Sequence, residues 1–153
     1  MVRLSDLAPH LAQGLRNLPM PEFDSTPWTE PRPLQEARFA IVTTAGLHRR
    51  SDAKFVAGAA DYRIIPGDTD PSQIMMSHVS VNFDRSGFQQ DVNVVFPLEL
   101  LRGLAALGEI GSVANWHYSF MGATDPTRMQ ESATQLAKLL HDDHVDGAIL
   151  VPV

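Results

Sequence analysis

The histidines His48, His78 and His117 are the side chains of this sequence best suited to proton chemistry near neutral pH. An imidazole titrates close to neutrality, so it can move protons or hold an anionic substrate. His78 lies inside an apolar stretch and His117 adjoins the end of another, where a hydrogen-bonded core histidine is an equally valid interpretation. His48, beside Arg49 and Arg50, is expected to be solvated.

A metal centre is a further interpretation of these histidines, with Asp84 as a carboxylate ligand. Imidazole and carboxylate suit zinc or iron, and a metal-dependent enzyme using His78 and His117 would follow. None of these residues shows the spacing of ligands on one helix or hairpin. The sequence also lacks a glycine-rich dinucleotide fingerprint, a phosphate loop and a Gly-x-Ser-x-Gly elbow, which leaves nucleotide binding and triad hydrolysis without support.

The composition is that of a single globular domain. The 153 residues are 44% hydrophobic and 20% charged, with a formal net charge of -6 and scattered basic residues, so nucleic acid is not an expected partner. No run is apolar enough to span a membrane and no secretion signal opens the chain, which favours the cytoplasm. Cysteine is absent. Redox chemistry would therefore need a cofactor, a partner or residues outside this sequence.

The order of apolar segments predicts an α/β fold. Residues 1–37 form an N-terminal helix and a proline-rich arm, and residues 38–153 form the α/β domain. Continuous apolar runs near residues 38–46, 75–81, 110–115 and 147–153 predict buried strands, alternating with helices that follow Pro97 and Asp125. We expect a three-layer, mainly parallel sheet with flanking helices, Rossmann-like or flavodoxin-like and incomplete at the carboxyl terminus. Residues 47–60 are expected to be irregular and residues 82–91 to form a long loop.

The carboxyl ends of such strands are where an open parallel sheet binds its ligands. The predicted catalytic residues are His78, His117 and Asp84, which would handle protons or charge. The predicted substrate-binding residues are Thr43, Thr44, Gly46, Asn82 and Tyr118. The final strand should be central, with Val151 to Val153 leading to the same rim.

Four segments together resemble the selenoprotein B family of the glycine/sarcosine/betaine/D-proline reductases, over roughly residues 38–153. They are residues 77–97 (SHVSVNFDRSGFQQDVNVVFP), 42–46 (VTTAG), 118–122 (YSFMG) and 146–153 (DGAILVPV). In that family the run ending in Pro-Val leads into a selenocysteine with a cysteine nearby. The resemblance implies a selenol nucleophile immediately after Val153, at the start of a helix that would favour its ionised form.

The resemblance further implies reductive cleavage of a C–N bond in a small amino-acid-like substrate, a partner subunit containing a pyruvoyl group, and a thiol electron donor. The nucleophile is carried over to no residue present, because this chain contains neither selenocysteine nor cysteine. A non-catalytic binding or assembly module of the same fold is the alternative. The proline-rich arm and the final apolar strand favour a homodimer.

We expect an in-frame UGA codon directly after the Val153 codon, because the sequence ends where the family has its nucleophile. Reading the nucleotide sequence tests this. An ordinary stop codon without an open frame beyond it would contradict the expectation.

Overall fold

A computed structural model describes residues 3–79 and 85–153 as a mixed α/β structure. No helix in these two ranges has the length and apolar character that crossing a bilayer requires. The helices are α1 (Pro9–Arg16), α2 (Ser86–Gln90), α3 (Leu98–Ala106) and α4 (Gln130–Asp142). The strands are β1 (Arg38–Thr43), β2 (Leu47–Arg49), β3 (Tyr62–Pro66), β4 (Ile74–Met76), β5 (Ser112–Val113), β6 (Trp116–Phe120) and β7 (Gly147–Val151).

β1 organises the main sheet. It pairs in parallel with β5 and β6 along one side and with β7 along the other. β3 extends the sheet by pairing antiparallel with β6. The sheet is therefore mixed, and the expectation of an α/β fold with flanking helices is confirmed. A three-layer fold of Rossmann or flavodoxin type stays a prediction.

Alternating residues of β1 pack into two separate apolar clusters. Ile41 packs with residues of α3, whereas Val42 packs with Tyr118 and with Leu136 of α4. Successive side chains of a strand point to opposite faces, so α3 and α4 cover different faces of the sheet. The helices that follow Pro97 and Asp125 occur as expected, and Asp125 accepts a hydrogen bond from the Thr127 backbone N–H at 2.9 Å.

Two predicted segments differ from the structure. Residues 47–60 are not wholly irregular, because β2 pairs antiparallel with β4 in a separate two-stranded sheet. Of the strand expected over 75–81, residues 75 and 76 belong to the short β4, which does not join the main sheet, and residues 80 and 81 lie outside the described ranges. Within the expected loop 82–91, residues 86–90 form α2, while residues 82–84 lie outside the described ranges. Three-residue strands have too few positions for a periodic signal.

β7 is not central as predicted, since β1 is the only partner it has among the described strands. The continuous apolar run of this segment predicts burial on both faces. The structure instead shows half-burial: Ile149 and Val151 pack against the α3-side cluster, and Leu150 is 72% exposed. A continuous apolar run therefore does not require that both faces of a strand be covered.

The N-terminal segment contributes little to the core. In α1 only Ala12 is buried, and Pro9 stands in the first turn of the helix. Leu11 and Leu15 of α1 are about half exposed, and Trp28 of the proline-rich arm is 86% exposed. Met20 to Phe23 lie along α4, where they line one side of a shared cavity.

Arg38, at the start of β1, makes hydrogen bonds to other parts of the domain. Its guanidinium donates to the Asp143 carboxylate at 2.7 Å, to the Asp143 carbonyl at 2.8 Å and to the Val113 carbonyl at 3.0 Å. Its backbone N–H donates to the Asp146 carboxylate at 2.9 Å. The Asp143 carboxylate also accepts the Asn115 backbone N–H at 3.0 Å. These bonds fasten the turn after α4 to the start of the sheet.

Replacing Asp143 with alanine should lower the free energy of unfolding by about 2–3 kcal/mol, because a largely buried guanidinium would lose its anionic partner. Asp142→Ala is the matched control, since the Asp142 side chain is 77% exposed. It should change the free energy of unfolding by about 0.5 kcal/mol or less. Denaturant unfolding compares the two variants. Equal effects would contradict the role assigned to Arg38.

Candidate functional site

The turn that follows β1 lies between the ends of β6 and β7. The Thr44 N–H donates to the Val151 carbonyl at 3.0 Å, and the Gly122 N–H donates to the Thr44 carbonyl at 2.8 Å. The Gly46 N–H donates to the Phe120 carbonyl at 2.8 Å. The carboxyl ends of three parallel strands therefore meet here, and we call this region the carboxyl edge.

Thr44 holds the end of the last strand segment by its side chain. Its hydroxyl oxygen accepts the Val153 backbone N–H at 2.8 Å. The same hydroxyl lies 3.4 Å from the Val153 carbonyl oxygen, to which it donates. One side chain thus sets the direction of the backbone at Val153.

Gly46 has a backbone conformation and a neighbour that both require glycine. Its φ is +67°, and a Cβ at this position would lie 2.9 Å from the backbone nitrogen of His78. Its carbonyl accepts the Ser77 N–H at 2.9 Å. The missing side chain therefore brings the segment that carries His78 directly against the turn after β1.

Gly122 has the same function on the opposite side. A Cβ there would lie 2.6 Å from the Val153 carbonyl oxygen, 3.0 Å from the Thr44 carbonyl oxygen and 3.1 Å from Nε2 of His78. Three polar atoms from three separate segments therefore surround the point that a larger residue would fill. This convergence is the central feature of the carboxyl edge.

His78 is buried, with 5% of its surface exposed. Burial lowers the pKa of His78, the charge of Arg85 lowers it further, and a hydrogen bond with the Val153 backbone acts in the opposite direction. The Arg85 guanidinium also donates to the His78 carbonyl. The imidazole is thus held mainly neutral beside Val153, in a form that can accept a proton.

His48 is not solvated as expected, because only 2% of its surface is exposed. Its Nδ1 donates to the Arg49 carbonyl at 2.7 Å, which leaves Nε2 to accept the Ser77 hydroxyl at 2.8 Å. The adjacent arginines suggested solvent, but the pairing of β2 with β4 encloses the ring. Sequence reasoning missed both Ser77 and Gly122 as site residues, although each lies in a segment that carries the family resemblance.

His117 belongs to the interior of the sheet. Its Nδ1 accepts the Ile41 backbone N–H at 3.0 Å, and its ring stands edge-on to Phe96 at 5.5 Å between centroids. Nε2 has no hydrogen-bond partner among the described residues. Burial, with a smaller effect of the Arg102 charge, lowers the pKa of His117 to about 4. These contacts do not bring His117 to Thr44, Gly46 or Val153.

Thr43 and Tyr118 belong to the interior of the sheet. Thr43 is fully buried, and its hydroxyl accepts the Ala45 N–H at 3.2 Å. Tyr118 packs on the α4 side of the sheet, 5.9 Å from Tyr62 between ring centroids. Burial, and to a smaller extent the charge of Asp143, raises the pKa of Tyr118 to about 12.

Of the predicted site residues, the structure brings together Thr44, Gly46 and His78. The predicted Asn82 and Asp84 lie outside the described residues, so their positions are not part of this geometry. Within residues 3–79 and 85–153, no group of three or more histidine, aspartate or glutamate side chains is placed to hold a metal ion.

Gly46→Ala should lower the free energy of unfolding by about 2 kcal/mol or more, because the new Cβ combines an unfavourable φ with a clash against the His78 backbone. Gly103→Ala is the control. Gly103 lies in α3 with nothing within 4 Å of its Cβ position. The free energy of unfolding of that variant should rise by up to about 1 kcal/mol. Thermal unfolding of both proteins measures the difference, and a neutral Gly46→Ala would refute the packing described for this turn.

Stability should fall as the pH drops below about 6.5, because the unfolded chain protonates His117 more readily than the folded chain does. The contribution of His117 to the free energy of unfolding is fully present when the pH is above the pKa of this histidine in the unfolded chain. It is lost as the pH falls toward the pKa of about 4 in the folded chain. Between pH 6.5 and 5 the loss should be about 2 kcal/mol. Urea unfolding across this range, compared with the non-titrating His117→Gln variant, isolates the effect. Parallel pH profiles for the two proteins would contradict it.

Comparisons with known proteins identify the family. Residues 14–153 match the family model described as glycine/sarcosine/betaine reductase selenoprotein B (GRDB). The chain is 31% identical over 152 residues to D-proline reductase subunit gamma of Acetoanaerobium sticklandii, covering 96% of this chain and 61% of that protein. It is 31% identical over 141 residues to sarcosine reductase complex component B subunit beta of Peptoclostridium acidaminophilum, covering 86% of this chain and 32% of the relative.

A third relative, glycine reductase complex component B subunit gamma of Carboxydothermus hydrogenoformans, is 27% identical over 142 residues, which cover 87% of this chain and 32% of the relative. The chain thus spans between about a third and three fifths of these relatives. No solved structure matches significantly. The family model covers nearly the whole chain, so this chain belongs to the glycine/sarcosine/betaine reductase selenoprotein B family.

Proposed function

We propose that this chain forms one wall of a reductase centre that cleaves a C–N bond in a small amino-acid-like substrate. The observation that carries the proposal is the convergence of Thr44, His78 and Gly122 on the backbone of Val153. Such an edge fits a reactive group carried next to Val153, because the backbone there is held in one direction. A selenol or thiol at that position would supply the nucleophile.

The residues of the carboxyl edge would have separate roles. Thr44 would position the backbone next to the nucleophile by its two contacts with Val153. His78, held mainly neutral, would accept a proton close to the reacting atoms. Gly122 would keep the centre open, since any side chain there would fill the space between the three polar atoms.

The reaction balances as a two-electron reduction. One C–N bond breaks, the carbon and the nitrogen each gain a hydrogen, and a thiol donor supplies the electrons as it becomes a disulfide. The names of the relatives, which are subunits of D-proline, sarcosine and glycine reductases, support a small amino acid as substrate. Those names also favour a multi-subunit complex, in which a partner with a pyruvoyl group would activate the substrate. A homodimer and a role for Asn82, Asp84 and Tyr118 toward the substrate belong to the same proposal.

Thr44→Val should lower kcat/KM at least about tenfold, because the side chain keeps its shape but loses both contacts with Val153. The assay follows thiol-dependent reduction of D-proline, sarcosine and glycine by the full-length gene product, with selenocysteine or cysteine after Val153, together with its partner subunit. Thr44→Ser, which keeps the hydroxyl, should retain most of the activity.

Equal activity of the two Thr44 variants would refute the role of the hydroxyl. Absence of thiol-dependent reduction with every one of these substrates, in a folded complex, would refute the reductase and favour a binding or assembly module.

A further inference from the structure

We propose that a second site, at the end of the sheet opposite to Val153, binds a small alkylammonium cation. The site is a cleft of about 280 Å³ between the start of β6 and the end of α4. This inference is independent of the proposed reductase centre. The cleft is lined by Ile64, Trp116, Tyr118, Leu139, Asp142 and Asp143.

The register of the strands separates the cleft from the carboxyl edge. Thr43 of β1 is aligned with both Ser119 of β6 and Val151 of β7. Trp116 precedes Ser119 by three residues and Val153 follows Val151 by two, so the two sites lie five residues apart along the sheet. This corresponds to about 16 Å at the rise of a strand. A ligand in the cleft would not contact the convergence at Val153.

The walls of the cleft are aromatic and partly open. Trp116 is 45% exposed, whereas Tyr118, two residues along β6, is 1% exposed and forms only the buried floor of the cleft. β3 pairs with β6 so that Ile64 is opposite Tyr118, which adds an apolar wall. The face of an indole ring attracts cations, so Trp116 is the aromatic group available to a ligand, and methyl groups on a cation gain further from the apolar surroundings. These walls suit an organic cation better than a hydrated metal ion.

The charge at the rim is negative. The Asp142 side chain is 77% exposed, and one of its carboxylate oxygens lies 3.7 Å from Nδ1 of His141. The Asp143 carboxylate is paired with Arg38 at 2.7 Å, so Asp142 carries the carboxylate charge at the rim that no arginine or lysine of the described residues neutralises. Both aspartates stand at the carboxyl end of α4, where the helix carbonyls add partial negative charge. A cation is therefore favoured and a carboxylate or phosphate ligand is disfavoured.

Tetramethylammonium is the probe, since its size suits a cleft of about 280 Å³. The chain has two tryptophans, and Trp28 is 86% exposed, so a Trp28→Phe protein leaves Trp116 as the only indole. Tetramethylammonium chloride should change the emission of Trp116 saturably at constant ionic strength. Asp142→Asn in this background should weaken the affinity about three- to tenfold.

Glu131→Gln is the matched control, because Glu131 is an exposed acid in the first turn of the same helix. It should leave the affinity unchanged. The neutral alcohol tert-butanol, of similar size, should bind at least about tenfold more weakly than the cation. A non-saturable response, equal affinities for the alcohol and the cation, or equal effects of the two helix variants would each overturn the proposal.

Discussion

The backbone hydrogen bonds at the end of β1 are the constraint on which the rest of the site depends. β1 is bonded in parallel to β6 on one side and to β7 on the other, so its last residues must lie between two strand ends. Thr44 continues this arrangement by donating its N–H toward β7 and accepting the Gly122 N–H from the segment after β6. The site is thus a consequence of sheet register. The hydroxyl of Thr44 then fixes the direction of the backbone at Val153.

Two glycines allow separate segments to pack closely at this edge of the sheet. At both Gly46 and Gly122 a Cβ would meet backbone atoms at 3.0 Å or less, so these positions let separate segments approach more closely than other residues allow. The approach brings the imidazole of His78 to the Val153 backbone. Burial of that imidazole then lowers its pKa. Close backbone packing and proton chemistry are therefore linked at the same edge.

Many of the strands and helices could be predicted from the sequence, because the patterns that specify them involve residues close together in the chain. The apolar run of β1, the Asp125-Pro126 helix start and the proline in the first turn of α1 all have short-range causes. Thr44 and Gly46 lie where the ends of parallel strands share one edge, as the strand pattern predicts, whereas His78 reaches them from the segment after β4, outside the main sheet. What they do there stays a prediction.

The remaining features depend on tertiary pairing. Burial of His48 requires β2 to pair with β4, and the contact of His117 with the Ile41 N–H requires a gap between β5 and β6 beside β1. Neither the pairing of β2 with β4 nor the gap between β5 and β6 corresponds to a periodic pattern of apolar residues in the sequence. The exposed face of β7 was missed because an apolar run alone does not report how many faces are covered.

The most direct test of the account is a set of nuclear Overhauser effects from the His78 ring in the isotopically labelled protein. The convergence predicts a strong effect between one of the two ring protons that flank Nε2, Hδ2 or Hε1, and a Gly122 Hα, since a Cβ on Gly122 would lie 3.1 Å from Nε2. It also predicts an effect to Val153. If the assigned His78 ring instead shows effects only to residues outside the carboxyl edge, the convergence does not exist and the site proposed on it fails.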